Sequence, residues 1–267
     1  MERGMTLTDM VVTFFIFAIA ATYLISFQKR AAVAGLKNTY WHFVRRYFAI
    51  MGIGALFGAF ESVWTDTTVW GTLHTIGLAG LLTLPVIRLS TTARAAIGLA
   101  LLGVNQLGYH LAPGLYVGEI GAVLRALSIA ATLIICTALV DLFHRGMKPF
   151  VIASGFVIIA AVVPLLLGAP YTKRNMVSFA LVSIAASCVY FLGANLLNHV
   201  LPNRPGLVSW WGENPMLLYI LHLMLIGAAR AFDPRSMWLA VPLNLMILSI
   251  LSVIAWQLHR KKIVVAL

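Results

Sequence analysis

The chain has 267 residues, of which 61% are hydrophobic and only 10% are charged, and its formal net charge is +11. The apolar residues form runs of about 18 residues or more, the length that crosses a hydrocarbon core of roughly 30 Å. Because the basic residues flank these runs, the positive charge is a topology signal and does not indicate nucleic-acid binding. We therefore predict an all-α, polytopic transmembrane helix bundle that forms a single domain over residues 1–267 and binds no nucleic acid.

Nine apolar segments are predicted to span the membrane. They cover residues 8–27, 43–60, 69–87, 93–112, 119–142, 150–168, 176–196, 210–229 and 237–258. The connections between them are short, so consecutive helices are expected to be neighbours. Cys136 and Cys188 both fall inside apolar segments, where they predict neither a disulfide framework nor a metal site.

The Lys and Arg residues are distributed unequally between the two sets of loops. One set contains thirteen: Lys29, Arg30, Lys37, Arg45, Arg46, Arg88, Arg94, Arg145, Lys148, Arg204, Arg260, Lys261 and Lys262. The other set contains five: Arg3, Lys173, Arg174, Arg230 and Arg235. Because cytoplasmic loops are enriched in Lys and Arg, we predict that the N-terminus faces out and the C-terminus faces the cytoplasm. The expected location is a bacterial plasma (inner) membrane.

The third segment, Trp70 to Pro85, reads WGTLHTIGLAGLLTLP and carries a histidine about one turn inside the apolar run. An ionisable side chain inside the membrane, here His74, predicts a functional site. The alternative is a structural histidine that bonds to a neighbouring helix. Gly77 and Gly80 lie on nearby faces, and the GxxxG that begins at Gly54 lies in the second segment. These glycines predict close packing between helices of this chain.

Seven polar side chains from five predicted helices fall in the outer third of the bilayer. They are Asp9, Glu61, His74, Asn105, Gln106, His110 and Arg125. Exposed to lipid, the charged members would each cost a few kcal/mol, so we expect all of them to face the interior of the bundle. They would then line a wet cavity. Alternatively, they would form a structural network in which Arg125 pairs with an acid such as Glu61 or Asp9.

The segment 27–46 is predicted to be cytoplasmic and is rich in basic and aromatic residues. Its basic residues include Lys37, Arg45 and Arg46. Anionic lipid headgroups would attract such a segment by about 1 kcal/mol per Lys or Arg. The alternative is recognition of a phosphorylated cofactor, because arginine presents a fork of donors to phosphate.

Three blocks resemble the heparan-α-glucosaminide N-acetyltransferase-like membrane proteins. WGTLHTIGLAGLL resembles that family's third-helix block, in which Gly-x-Leu-Gln/His precedes an Ile-Gly/Ala-Leu run. WGENPMLLYILHLML is similar to its late helix, Gly-x-Asn-x-Leu-x-x-Tyr-x-x-His. The start, GMTLTDMVVTFFIFAIAATYLISFQKR, resembles its Gly-x-Thr-x-x-Asp block with a Phe-rich helix and a basic turn. The matching positions are Asp9, His74, Asn214, Tyr219 and His222.

The sequence also departs from that family pattern. In the family a further helix precedes the Gly-x-Thr-x-x-Asp block, and the loop between them carries the histidine assigned to acetyl transfer. This sequence begins only a few residues before Gly4, so we expect that helix and that histidine to be absent. Thr13 and Thr75 stand where the family has a proline and often an arginine. Either the remaining polar cluster performs the chemistry, or the chain keeps the scaffold without the activity.

The resemblance implies an integral membrane acyltransferase that moves an acyl group from acyl-CoA, in the first instance acetyl-CoA, to a hydroxyl or amine of a glycan or lipid. In that scheme His74 is the base, Asp9 or His110 orients it, and Arg125 or Asn105 stabilises the developing charge. The residues expected to bind the donor are Lys37, Arg45, Arg46, Asn214 and His222. No metal is expected. The alternative is a non-catalytic scaffold, for instance a subunit of a larger complex, whose partners are lipids and other membrane proteins.

Overall fold

The computed structural model describes residues 7–62, 70–166, 177–200, 206–229 and 237–264. Within these ranges every regular element is helical and no strand occurs, which confirms the all-α prediction. The helices are α1 (Leu7–Ala34), α2 (Leu36–Ser62), α3 (Thr72–Thr83), α4 (Thr91–Leu111), α5 (Gly118–Arg145), α6 (Met147–Leu166), α7 (Val177–Val200), α8 (Leu207–Glu213), α9 (Pro215–Ala229) and α10 (Met237–Arg260). A 3₁₀ turn, Pro113–Tyr116, connects α4 to α5.

Four of these helices are long and apolar enough to cross a membrane. The stretches are Val11–Ala34, Ile120–Arg145, Val177–Asn198 and Trp238–Arg260. Three shorter apolar helices are Thr72–Thr83, Met147–Val163 and Pro215–Ala229. These apolar helices support a membrane protein, whereas the count of nine spans and the sidedness of the termini stay predictions.

Two helices extend beyond the segments predicted to lie in the membrane. The basic segment 27–46 is helical on both sides of Gly35, which ends α1 in the left-handed region at φ +76°. Glycine has no Cβ and adopts this conformation without strain, so α1 can end and α2 begin on either side of a single residue. The segment expected to be a loop is therefore the abutting ends of α1 and α2.

The third predicted segment, residues 69–87, contains a shorter helix than expected. α3 has 12 residues, about 18 Å of helix, and ends at Thr83. Pro85 has no N–H to continue the helical hydrogen bonds. The N–H groups of Leu84 and Val86 instead bond carbonyls three residues back, those of Leu81 and Thr83.

The eighth predicted segment, residues 210–229, is divided between two helices. α8 ends at Glu213, Asn214 forms the junction, and α9 begins at Pro215. The missing N–H of proline costs nothing in the first helical turn, so Pro215 is well placed to begin a helix. The prediction that Pro215 occupies the first turn after Asn214 is confirmed.

The residues group into two compact units, Met1–Asn195 and Leu196–Leu267. In the first unit α5 is the central helix and packs against α1, α3, α4 and α6. As much as 72% of its apolar window is buried inside the unit. Ile184 and Cys188 of α7 complete the same core. A helix buried on all sides positions its neighbours, so the polar groups at both ends of α5 are held by one rigid element.

Glycines bring α2 and α3 together in the first unit. A Cβ on Gly77 would lie 2.8 Å from the carbonyl oxygen of Tyr47, and one on Gly80 would overlap the Tyr47 ring. A Cβ on Gly54 would lie 2.9 Å from Nδ1 of His74. The predicted close approach of helices at Gly54, Gly77 and Gly80 is therefore confirmed.

The second unit is built by α8, α9 and α10. Its small core contains Leu218, Ile247, Leu251 and Ala255. Only 17% of the apolar window of α10 is buried inside the protein. A helix that is apolar all round and largely uncovered fits a lipid environment, where all its backbone groups are bonded internally. Whether the chain folds as one domain over residues 1–267 stays a prediction.

Candidate functional site: polar groups at the two ends of the first unit

His74 lies in the first turn of α3 and is 7% exposed. Its Nδ1 accepts a hydrogen bond of 3.2 Å from the backbone N–H of Gly71, the residue that precedes the helix. The indole of Trp70 stacks on the imidazole with ring centroids 5.1 Å apart. The side chain at this third helical position commonly caps the N-terminus, as Glu and Gln do in capping boxes. His74 therefore satisfies a helix end that would otherwise leave an unpaired donor.

This hydrogen bond also determines the tautomer of the neutral imidazole. A nitrogen that accepts a hydrogen bond carries no proton, so in neutral His74 the proton is on Nε2. The tautomer is assigned from the hydrogen bond, which requires a lone pair on Nδ1. In this arrangement the lone pair of the neutral imidazole is bonded to the helix end and Nε2 is a donor. This is the geometry of a helix cap, and a catalytic role for His74 stays a prediction.

Cavities lie at the two ends of these helices, and we name them outer and inner after the predicted orientation of the chain. The outer cavity, of about 310 Å³, lies beside Trp70, between the starts of α1 and α3 and the first part of α5. Thr13, Thr75, Arg125 and Ser128 contribute polar groups to its lining. Arg125 is partly exposed there and forms no hydrogen bond or ion pair with the side chains that the structure describes. No His, Asp or Glu is among the described residues of this lining. The described part of the lining therefore presents a cation and hydroxyls, and no carboxylate or imidazole.

Asn105, Gln106 and His110 of α4 form local contacts. The Tyr116 hydroxyl donates to the Asn105 carbonyl oxygen at 2.9 Å, and Asn105 itself is 3% exposed. Nε2 of Gln106 and Nε2 of His110 lie 2.8 Å apart, and Oε1 of Gln106 accepts from the N–H of Val177. These bonds hold the connection to α5 and the start of α7. His110 is bonded to Gln106 and not to His74.

Two acids predicted for the outer cluster lie outside the described side chains. Asp9 is in α1 and Glu61 in α2, but the structure describes only their helical backbone. Pairing of Arg125 with either acid, and an orienting role for Asp9, therefore stay predictions. The seven residues of the predicted cluster do not share one described cavity: Arg125 lines the outer cavity, whereas His74, Asn105, Gln106 and His110 are outside its lining.

A larger inner cavity, about 460 Å³, lies at the opposite end of the same helices. It is bordered by the end of α1, the turn that precedes α4 and the last turns of α5. Arg88, Arg94, Arg145 and Asp141 line it, together with the start of α4 at Ser90 and Thr91. Three arginines against one aspartate leave an excess of two positive charges. The cavity is therefore suited to an anion.

Arg94 and Asp141 form the centre of this inner region. Arg94 is 2% exposed and donates to Oδ2 of Asp141 at 2.9 Å and to the carbonyls of Leu89 and Thr137 at 3.2 and 3.1 Å. The Thr91 hydroxyl donates to the same carboxylate. Arg145 also donates to both Asp141 and Thr91, at 3.0 Å and 2.5 Å. A buried charge is tolerated when it is paired and hydrogen-bonded, as here.

The basic residues that the sequence predicted to bind the acyl-CoA donor lie on α2, outside the lining of the inner cavity. Lys37 is exposed, and the guanidinium of Arg45 lies 4.9 Å from the ring centroid of Trp41. Arg46 is partly buried, with an Nε that has no hydrogen-bond partner among the described residues. None of the three borders the inner cavity.

His42 lies near these basic residues on α2. Desolvation and then the charges of Arg30 and Arg46 lower the pKa of His42, which favours the neutral imidazole at physiological pH.

The remaining donor-binding candidates, Asn214 and His222, are in the second unit. The buried amide of Asn214 donates to the carbonyl of Ile263 at 3.0 Å and thereby ties the helix junction to the end of α10. His222 is partly buried on α9. In the same unit Glu213 lies 2.8 Å from Nδ1 of His259. These contacts support the fold of the unit, and a role in donor binding stays a prediction.

Asp141 is the residue that sequence reasoning missed. It lies at the predicted end of the fifth segment and was not assigned to any cluster. The available signal was an acid one helical turn before Arg145, since such a pair lies on one helix face. Its partner Arg94 is 47 positions away, so only the packing of α4 on α5 joins them.

No family model matches the chain, and no curated protein matches it. The resemblance described above therefore depends on the quoted motif positions. Among the described residues, no three His, Cys, Asp or Glu side chains come together as metal ligands would. The functional interpretation consequently depends on the geometry at the two ends of the first unit.

Proposed function

We propose that the chain is a multi-pass protein of a bacterial plasma membrane, with nine spans, the N-terminus outside and the C-terminus in the cytoplasm. The basic bias of the loops supports this orientation. The cluster of Arg88, Arg94 and Arg145 at one end of the first unit is consistent with a cytoplasmic face. Cysteine labelling in intact cells tests the proposal: Asp66→Cys should react with a membrane-impermeant maleimide and Lys37→Cys should not. Labelling of Lys37→Cys alone would reverse the orientation.

For the activity we propose a non-catalytic membrane scaffold or subunit, in which the polar groups hold helices together. The observation that carries this proposal is the hydrogen bond from Gly71 to Nδ1 of His74, which leaves the proton on Nε2. The packing of Gly54 against the same ring adds to it. The family block that this stretch resembles has Gln or His at this position. Both residues can accept the capping bond, whereas only histidine can act as a base.

That difference provides the experiment. His74→Gln should keep most of the stability, because glutamine can accept the bond from Gly71, whereas His74→Ala should lose about 1–3 kcal/mol from the missing cap and the space left by the ring. Purified variants are compared by denaturant titration in detergent and by transfer of radiolabelled acetyl groups from acetyl-CoA. Acetyl transfer by the wild type that His74→Gln abolishes while folding stays intact would contradict the scaffold.

The second candidate is an acyltransferase that takes acyl-CoA from the cytoplasm and transfers the acyl group to a glycan or lipid. Two features favour it: the inner cavity has an excess of positive charge that suits the phosphates of the donor, and Arg125 in the outer cavity could stabilise an oxyanion. Here the base must come from outside the described lining, with Asp9 as the first candidate. Acetyl transfer that Asp9→Asn abolishes and His74→Gln spares would favour this function.

A further inference from the structure

We propose that the inner cavity is a binding site for the phosphate group of a ligand at the cytoplasmic face. A phospholipid headgroup and a soluble phosphorylated molecule share this chemistry. The site consists of Arg88, Arg145 and the N-terminus of α4, with the Arg94–Asp141 pair in the same wall, and it is independent of the function proposed for His74.

The charge balance of the cavity is the first argument. Asp141 neutralises one of the three arginines, and it is shared between Arg94 and Arg145 through a single oxygen, Oδ2. Arg88 lies in the turn before α4 and forms no hydrogen bond or ion pair with any residue that the structure describes. Arg145 is 60% exposed, and its bonds to Asp141 and Thr91 use only one of its terminal nitrogens, Nη2. Two guanidinium groups thus keep donors for an anion, and guanidinium is the group that matches phosphate oxygens in pairs.

The start of α4 supplies the second argument. Ser90 caps the helix by accepting from the N–H of Ala93, and Ser90 and Thr91 both line the cavity. The first N–H groups of a helix have no partner within it and point along the axis, with a partial positive charge. α4 is 21 residues long, so its N-terminus adds a full helix-end dipole to the arginines. Phosphates commonly bind in this position.

The shape and apolar part of the lining form the third argument. About 460 Å³ is more than one phosphate group needs, and apolar residues such as Leu24, Phe27, Leu36 and Ile87 form another part of the wall. A phosphate attached to an apolar or amphipathic body would therefore contact both kinds of surface. In a phospholipid that body is the glycerol with its acyl chains, and in a soluble cofactor it is the remainder of the molecule.

Arg88 allows a test that leaves the fold intact, because Arg88 has no part in the Arg94–Asp141 network. The delipidated full chain in a neutral detergent is titrated with phosphatidylglycerol in one arm and with coenzyme A in the other, and bound ligand is measured by native mass spectrometry. Arg88→Gln and Arg145→Gln should each weaken binding about ten-fold or more, the loss expected for a charge-assisted hydrogen bond. The matched control is Arg260→Gln, an exposed arginine that lies over Trp256 in the second unit and should bind as the wild type does.

The two arms distinguish the source of the phosphate. Arginine-dependent binding of phosphatidylglycerol alone would identify a lipid site, and arginine-dependent binding of coenzyme A would identify a soluble ligand and favour the acyltransferase over the scaffold. Either result supports a phosphate site. Binding of neither ligand, or binding that Arg88→Gln and Arg260→Gln leave equally strong, would overturn the proposal.

Discussion

Arg94 lies at the start of the fourth predicted segment, where it was counted with the loops, and Arg125 lies further inside the fifth; the surroundings of the two arginines differ. Arg94 is buried and bonds Asp141 together with two backbone carbonyls, whereas Arg125 borders an open cavity without a bonded partner among the described side chains. Arg94 lies on α4 and Arg125 on α5, the central helix of the first unit. Among the described side chains, the difference is that α5 offers Asp141 to Arg94, whereas no described acid bonds Arg125. Arg94 is therefore part of the fold, and Arg125 borders a cavity that a ligand could enter.

The positions of the helix ends explain why the acid is at the inner end. α4 begins where α5 ends, so Asp141 lies next to the N-terminus of α4 and bonds the hydroxyl of Thr91. The positive end of the α4 dipole favours a carboxylate there. Asp141 would be unfavourable near the C-terminus of its own helix alone. Antiparallel packing of two helices therefore stabilises a charge that neither sequence segment would favour by itself.

The largest effect is expected from Asp141→Leu. This change leaves the Arg94 guanidinium buried with a charge that nothing neutralises, which should cost about 3–5 kcal/mol of unfolding free energy. Denaturant titration in detergent measures the loss. Arg94→Met in the same chain should restore part of it, because the double variant has no unpaired buried charge. A loss of less than about 1 kcal/mol for Asp141→Leu would show that Arg94 does not depend on this partner.

A smaller effect is expected from Thr91→Val. The Thr91 hydroxyl donates to Asp141 and accepts from Arg145, so removal of the hydroxyl should cost about 1–2 kcal/mol at nearly constant volume. The matched control is Thr92→Val, since the adjacent Thr92 is exposed and bonds only the hydroxyl of Ser90. Thermal unfolding of the two variants should separate them. Equal midpoints would mean that the inner network adds no stability through its hydroxyl.

The smallest effect on stability is expected from Arg125→Leu. Removal of a partly exposed cation that bonds none of the described side chains should change the unfolding free energy by about 1 kcal/mol or less. Arg125→Lys, which keeps the charge, serves as the control in the same denaturant titration. A loss of several kcal/mol in Arg125→Leu that Asp9→Asn or Glu61→Gln partly recovers would instead establish the ion pair predicted from the sequence. The contrast between the two arginines would then disappear.

A fair part of the fold could be predicted from the sequence, because it follows from local chemistry. Apolar runs predicted the helices, Pro215 predicted the start of α9, and Gly77 and Gly80 predicted a close helix contact, which the structure shows to be with α2. The length of α3 was wrong because Pro85 was placed inside the segment although it ends the helical hydrogen bonds. The capping bond from Gly71 to His74 could also have been predicted, since the two residues are three positions apart.

The sequence by itself determined the apolar helices and the start of α9 at Pro215, because each depends on residues a few positions apart. Only the tertiary structure decided which polar groups meet: it placed Asp141 beside Arg94, packed Gly54 against His74 and left Arg125 at a cavity. The physical reason is that a charge inside an apolar protein is tolerated through partners on other helices. Those partners are separated by tens of residues, so no local pattern specifies them.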